Sequence, residues 1–445
     1  MKKLLVACFI AVVGLAFVAP AFAFEAEFGG YWRTRAFSYN NFTGEDQTES
    51  YDYNAVDTRT RLYFTAKIND NLKFVNKFEF DADWGDTGYG DIGADGKVFE
   101  IKNTYADFCV GPVNAKVGTQ SACLSRGFLF CDDFTGAVVS FNGGNFTLPF
   151  IWIRPYEGGN GMDADDADVD YLAFAPSFSA GDIKVNPILL WATSDDISTW
   201  NPAIQGTGID YSFNGVNPKI NDVLADAEDM NVVFLGLDVD ANMGAASVWF
   251  TGLYETGSID NAAGEDLDVS AYLAAAGVDV GLGMANIHGQ IFYASGDDIE
   301  ENDNELNEFW VPSQGSWYGQ SYYWAEIMGY GMMDDMVSNG SCGDKISNII
   351  AYNFGATVKP MDKLKLSADL WYATLVEKDV IGGEEDLGFE VDLAVTYELV
   401  QNLNLDIIGA YLFAGDRTTQ DPTTGLQFAD DANPYELGAR LSLSF

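Results

Sequence analysis

From Phe24 onward the chain alternates apolar and polar residues with a period of two, and turn-forming clusters interrupt the alternation at regular places. The C-terminal stretch is the cleanest instance. After Pro434, the residues Tyr435, Leu437, Ala439, Leu441, Leu443 and Phe445 fall in one phase, and Glu436, Gly438, Arg440, Ser442 and Ser444 in the other. Successive side chains of a strand point to opposite faces, so this segment is a strand with one apolar and one polar face. Residues 24–38 read the same way, with Ala26, Phe28 and Trp32 opposing Glu25, Glu27, Tyr31, Arg33 and Arg35. In 56–68 the polar phase carries Asp57, Arg59, Arg61, Thr65 and Lys67, together with Tyr63. Past the Asn69-Asp70 turn, Leu72, Phe74, Phe78 and Phe80 oppose Lys73, Lys77, Glu79 and Asp81.

The rhythm predicts further strands near 97–109, 113–121, 135–142, 145–153, 169–177, 182–193, 230–241, 245–255, 267–278, 284–295, 348–359, 363–376, 386–399, 402–414 and 434–445. Short turns such as Gly111-Pro112, Asn142-Gly143-Gly144 and Val400-Gln401 follow the even-numbered strands. Long loops follow the odd ones, at 39–54, 85–96, 122–134, 154–168, 194–229, 256–266, 296–347, 377–385 and 415–433. An even number of strands, with loop length segregated to one side, is the pattern of a transmembrane antiparallel up-and-down β-barrel. The expectation is all-β with about eighteen strands, short periplasmic turns and long extracellular loops; sixteen is the other count that the poorly patterned 154–230 allows.

The N-terminus fits export. Lys2 and Lys3 precede an apolar run from Leu4 to Val18, and Ala21-Phe22-Ala23 is a small-x-small cleavage site. Residues 1–23 therefore read as a secretory signal peptide and 24–445 as the barrel. Leu5-Val6-Ala7-Cys8 matches a lipobox in letters only, because Cys8 lies near the start of the apolar run rather than after it. No other run approaches the ~18 apolar residues of a membrane helix.

Charge narrows the function. The formal net charge of −44 becomes −46 once Lys2 and Lys3 leave with the leader. Such a chain repels nucleic acid and attracts divalent cations. The acidic loop residues Asp163, Asp165, Asp166 and Asp168, with Asp170, suit loose Ca²⁺ binding and bridging to lipopolysaccharide, but lack the EF-hand spacing. A solvated face is the alternative. An enzyme is not expected: the single histidine, His288, sits in a strand, and neither a His-based nucleophile activation nor a His metal cluster can be built from it. With no C-x-x-C-H, the chain cannot attach haem covalently.

Energetics orients the strands. Arg or Lys on a lipid face near the midplane costs roughly 2–4 kcal/mol each. Arg59, Arg61 and Lys67 must therefore face the lumen, which implies a water-filled interior. The same phase collects Arg33, Arg35, Arg59, Arg61, Lys73 and Lys77, and barrel closure would bring Arg440 to the same wall. Either these cations set a transverse field, or they pair with Glu25, Glu27, Asp57, Glu79 and Glu436 to hold the wall together; the two roles can coexist.

The terminal Phe strand, the signal peptide and the basic early strands together resemble bacterial outer-membrane porins, most of all the homotrimeric porins of sulfate- and metal-reducing deltaproteobacteria. The resemblance implies a homotrimer in the Gram-negative outer membrane, in contact with lipid and lipopolysaccharide. It implies passive diffusion of small hydrophilic solutes and ions, with the seven cations as the basic ladder of a constriction. The third long loop would then fold inward and set Asp132 and Asp133 opposite that ladder. Cys123 and Cys131, eight residues apart, have the spacing to staple it as a disulfide. Cys342 is expected to tether the longest loop to Cys109 or to a loop cysteine. That loop, 296–347, carries Phe309, Trp310, Trp317, Tyr318, Tyr322, Tyr323, Trp324 and Tyr330, then Met332, Met333 and Met336, and must bury them somewhere. Plugging the lumen, capping the mouth, lining a sugar track and packing between protomers all remain open. The alternatives in function are a substrate-specific channel for a sugar, a carboxylate or an exported polysaccharide, a sleeve for a multihaem cytochrome, and a structural anchor.

Overall fold

Eighteen antiparallel strands, each hydrogen-bonded to the next, close on themselves. The computed structural model describes residues 24–46, 52–85, 99–158, 167–197, 227–261, 266–298, 304–312, 322–334 and 336–445. The expected signal peptide at 1–23 lies outside the described residues, as do Asp163, Asp165 and Asp166.

The first half of the barrel comprises β1 (Glu25–Asn40), β2 (Tyr53–Asn69), β3 (Leu72–Asp83), β4 (Phe99–Val110), β5 (Val113–Leu124), β6 (Phe130–Asn142) and β7 (Phe146–Tyr156). Next come β8, which runs Val169–Phe174 and resumes at Ser177–Ala180, and β9 (Ile183–Ser194). The second half is β10 (Ala227–Met243), β11 (Ala246–Asn261), β12 (Asp266–Leu282), β13 (Ala285–Ala294), β14 (Ile349–Met361), β15 (Leu364–Leu375), β16 (Asp386–Val400), β17 (Leu403–Ala414) and β18 (Tyr435–Ser444). Eighteen strands form in the expected order, several of them longer than the alternation suggests, as at β6 and β11.

The seam joins β1 to β18, with Arg35 opposite Arg440 and Tyr31 opposite Ser444. The last residue completes it: Gly30 N–H donates to Phe445 O at 2.8 Å, and Phe445 N–H donates to Gly30 O at 3.1 Å. Gly30 has to be glycine, because a Cβ there would stand 2.5 Å from the Phe445 ring. Closure leaves no open edge.

The outer face is apolar and aromatic. Cross-strand partners Tyr254 and Tyr272, on β11 and β12, both point out. So does the row Tyr352, Tyr372, Phe389 and Phe413, which runs across β14 to β17 in register. Trp152 and Trp191 flank Leu172 on β7 to β9 at the same outward level. Side chains of this kind belong in the aromatic girdle of a barrel whose outer surface meets lipid.

The interior corrects one expectation. The inward charge of Arg59, Arg61 and Lys67 predicts a water-filled interior, yet the inward phase of β8 to β14 carries a wide buried apolar band, interrupted by polar residues such as Asp238, Glu255 and Asn353. Val169, Tyr171, Ile188, Leu190, Val232, Phe234, Leu273 and Phe292 all belong to one core. What covers them is the described part of the long connection, residues 304–312, 322–334 and 336–348, which folds into the barrel. Phe309, Val311, Ile327, Met328 and Met333 are fully buried within that core. Of the open alternatives for this loop, filling the lumen is the one observed. Half of the lumen is thus a dry core and the other half is polar.

Candidate functional site: a charged cavity inside the barrel

Arginines at alternate positions of neighbouring strands become one patch only if the register aligns them. It does so here: Arg33 faces Arg59, Tyr31 faces Arg61, and Arg35 faces both Asp57 and Arg440 across its two neighbours. Arg33, Arg35, Arg59, Arg61 and Arg440 therefore form a continuous inner wall, as the sequence phase predicts. Lys77 joins it beside Tyr63, its ammonium 5.8 Å from the ring centre. Lys73 does not, because it sits next to the Asn69-Asp70 turn, 3.7 Å from Asp107 and half exposed.

Nearly every guanidinium of the wall already holds a carboxylate. Arg59 donates to Asp81 at 2.8 and 2.7 Å, and Arg61 pairs with Glu79. Arg35 pairs with Asp57, and Arg440 reaches Asp406 at 3.1 Å. The cations thus face the lumen and also knit the wall together. Charge-assisted, forked contacts of this kind are strong and directional.

The acid that meets the ladder from across the lumen is one that sequence reasoning missed. Asp334, on the inserted loop, accepts from Arg33 at 2.9 Å and stands 3.9 Å from both Arg35 and Arg59. Its backbone is left-handed, with φ of 59°, and its approach is close, since a Cβ on Gly438 of β18 would meet Met333 Cε at 2.5 Å. The available signal was an acidic pair, Asp334-Asp335, set among Met332, Met333 and Met336: an apolar stretch otherwise suited to burial.

The third long loop does fold inward, and Asp132 and Asp133 line one cavity with Arg59, Arg61 and Lys77 of the ladder, although neither forms an ion pair with a ladder arginine among the described residues. The tip between β5 and β6 turns through Ser125, Arg126 and Gly127, all with positive φ. Phe128 is fully buried and stacks on Tyr322 of the long loop at 4.3 Å. Arg126 crosses the lumen to Asp240 at 2.5 Å and lies over Trp249. Cys123 and Cys131 are bonded at the base of this tip, as their spacing allows. Asp132 and Asp133 lie on β6 itself because the strand starts at Phe130, earlier than the periodicity suggests. There Asp133 binds Lys102 at 3.1 Å. Neither Cys109 nor Cys342 is disulfide-bonded; Cys109 sits at the short-turn end of β4, while Cys342 lies on the loop packed in the lumen, which overturns the expected tether. Asp168 engages Arg154, which also forks onto Asp170 at 2.9 Å, so it is held by a guanidinium rather than standing open to an ion. His288 pairs with Asp369 at 2.8 Å on the inner wall.

Wall, tip and β6 enclose a cavity of about 720 Å³ that opens along β2 to β7. Its cations are Arg59, Arg61, Lys77, Lys102 and Arg154. Its carboxylates are Glu79, Asp81, Glu100, Asp132 and Asp133. Pro312 of the inserted loop closes one side. The arrangement can admit a small polar molecule and hold it among paired charges, away from the dry half of the lumen.

The inserted loop is fastened to the opposite wall by carboxylates as well. Ile327 and Met328 donate backbone N–H groups to Glu390 at 2.7 and 2.9 Å, and Trp310 N–H donates to Glu255 at 2.9 Å. Within the loop, burial pushes the carboxyls of Glu326 and Asp344 up to about 7.

Solved structures with the same architecture exist. A Pseudomonas fluorescens BenF-like porin matches with a TM-score of 0.56 and 14% identity, covering 95% of this chain and 99% of the other. Pseudomonas aeruginosa OccK2, solved with glucuronate, matches at 0.55 and 11% identity over 95% and 98%. Pseudomonas aeruginosa OpdK, solved with vanillate, gives 0.54 and 11% over 94% and 99%. At these identities the likeness establishes the closed antiparallel barrel. All three come from Pseudomonas, and they lend no support to the expected likeness to deltaproteobacterial trimeric porins. No protein-family model matches the chain, and no curated protein matches it.

Proposed function

We propose that the chain is an outer-membrane porin, a passive channel through which small hydrophilic solutes cross along the polar half of the lumen. The observation that carries this reading is the charged cavity inside a closed barrel whose outer face is apolar and aromatic. Water and ions fit the polar half, and lipid fits the outside. Single-channel recording of the refolded full chain in planar bilayers tests it: stepwise conductance is expected, and its absence would sink the proposal.

A second reading, a substrate-specific channel, is supported by the inserted loop, which narrows the path to one side of the barrel. Glucuronate and vanillate, bound in two of the similar structures, make carboxylates one class to test. Conductance that saturates with one solute supports this reading, and ohmic, weakly selective steps support general diffusion. A sleeve around a partner cytochrome would need the volume that the loop already occupies. Assembly as a homotrimer rests on the sequence resemblance, and the mass of the detergent-extracted protein tests it.

A further inference from the structure

The charges of the cavity point to a class of solute, an inference that rests on the channel reading. Among the described residues, four of the five cations lining the cavity already have carboxylates within 4 Å. Arg59 has Asp81 and Glu79, Arg61 has Glu79, Lys102 has Asp133, and Arg154 has Asp168 and Asp170. The exception is Lys77, which has no carboxylate within 4 Å among the described residues; its ammonium stands 5.8 Å from the Tyr63 ring centre and feels Asp133 and Glu79 only at longer range. On the acidic side Glu100 stands exposed in the cavity, with no ion pair among the described residues.

Lys77 and Glu100 line one cavity from neighbouring strands, Glu100 lying across from Glu79, two residues on from Lys77. Glu79 and Glu100 are partners across β3 and β4, and a bulge between Lys77 and Phe78 turns both Glu100 and Lys102 into the cavity. A bulge re-aims side chains in this way at the cost of one unpaired residue. The result is a cavity lined by equal numbers of opposite charges, with one cation and one carboxylate left over on neighbouring strands.

A simple anion gains little here. The arginines are neutralised, so only Lys77 could take it without displacing Glu79 or Asp81, and it would bring net charge into a partly desolvated space whose lining charges balance. A simple cation meets the same difficulty in reverse. A solute that carries both signs leaves the cavity neutral and can use both unpaired groups. We infer that the cavity selects small zwitterions, the carboxylate end on the Lys77 ammonium and the ammonium end on the Glu100 carboxylate.

The test compares glycine with its uncharged isostere glycolamide, and with acetate, as permeants into liposomes that contain the full chain. KCl conductance of the same preparation reports whether a channel is present. Glycine should enter about threefold faster than glycolamide, the factor expected from exposed charge contacts. In K77M/E100Q the ratio should fall to one, and in the swapped pair K77E/E100K it should rise above one again. Equal rates in the parent protein, acetate faster than glycine, or a swap that leaves the ratio at one would each overturn the zwitterion assignment while the channel stands. No KCl conductance in the parent protein would instead overturn the channel reading.

Discussion

Asp334→Asn is the most informative single change, because it removes one charge from the point where loop and ladder meet. Asp334 is the only described carboxylate within 4 Å of Arg33, and it also neutralises the outer flanks of Arg35 and Arg59. The Arg33 side chain is 7% exposed, so water replaces little of what is lost. Removing one partner of a buried ion pair costs roughly 3–5 kcal/mol, chiefly because the other charge is left uncompensated. If that energy holds the loop against the wall, its detachment becomes easier by roughly two to three and a half decades. Single-channel recording should then show larger or longer openings, and a reversal potential shifted toward anions by the freed guanidinium. Arg33→Met combined with Asp334→Asn removes both charges and should recover much of the parent behaviour. An Asp334→Asn channel with the parent conductance and reversal potential would refute the claim that this contact closes the path.

Three other outcomes follow from the same geometry. Replacing Arg59 and Arg61 by Glu, beside Glu79 and Asp81, should move the reversal potential strongly toward cations; an unchanged potential would place both residues off the path. Phe128→Ala removes a fully buried ring stacked on Tyr322 and should cost about 3–5 kcal/mol, seen as a lower thermal midpoint and faster proteolysis of the inserted loop. Glu326 and Asp344, both raised to about 7, favour the packed loop while protonated and withdraw that support as pH rises through about 7. Conductance should therefore increase from pH ~5 to pH ~8, and Glu326→Gln should flatten the rise; a flat profile in the parent protein would count against titration of the loop.

Period-two alternation determined the eighteen strands, their order and the side on which the long loops lie, since a strand's two faces are written directly in its own residues. Arg33, Arg35, Arg59, Arg61 and Arg440 were assigned to one wall from phase alone, and the register between neighbours brings them together. The content of the lumen was not legible in that way. Loop 296–347 has no period to read, and its aromatics state only that burial is required, not where. Tertiary structure decided that Phe309, Trp310, Tyr322 and Trp324 cover the apolar inner band of β8 to β14, while Trp317 and Tyr318 lie outside the described residues. It also brought Asp334 of the inserted loop onto Arg33, while Asp133 pairs with Lys102 at the edge of the same patch. Ion pairing at a few ångströms depends on how an irregular backbone crosses the lumen, and alternation along a strand carries no information about that path.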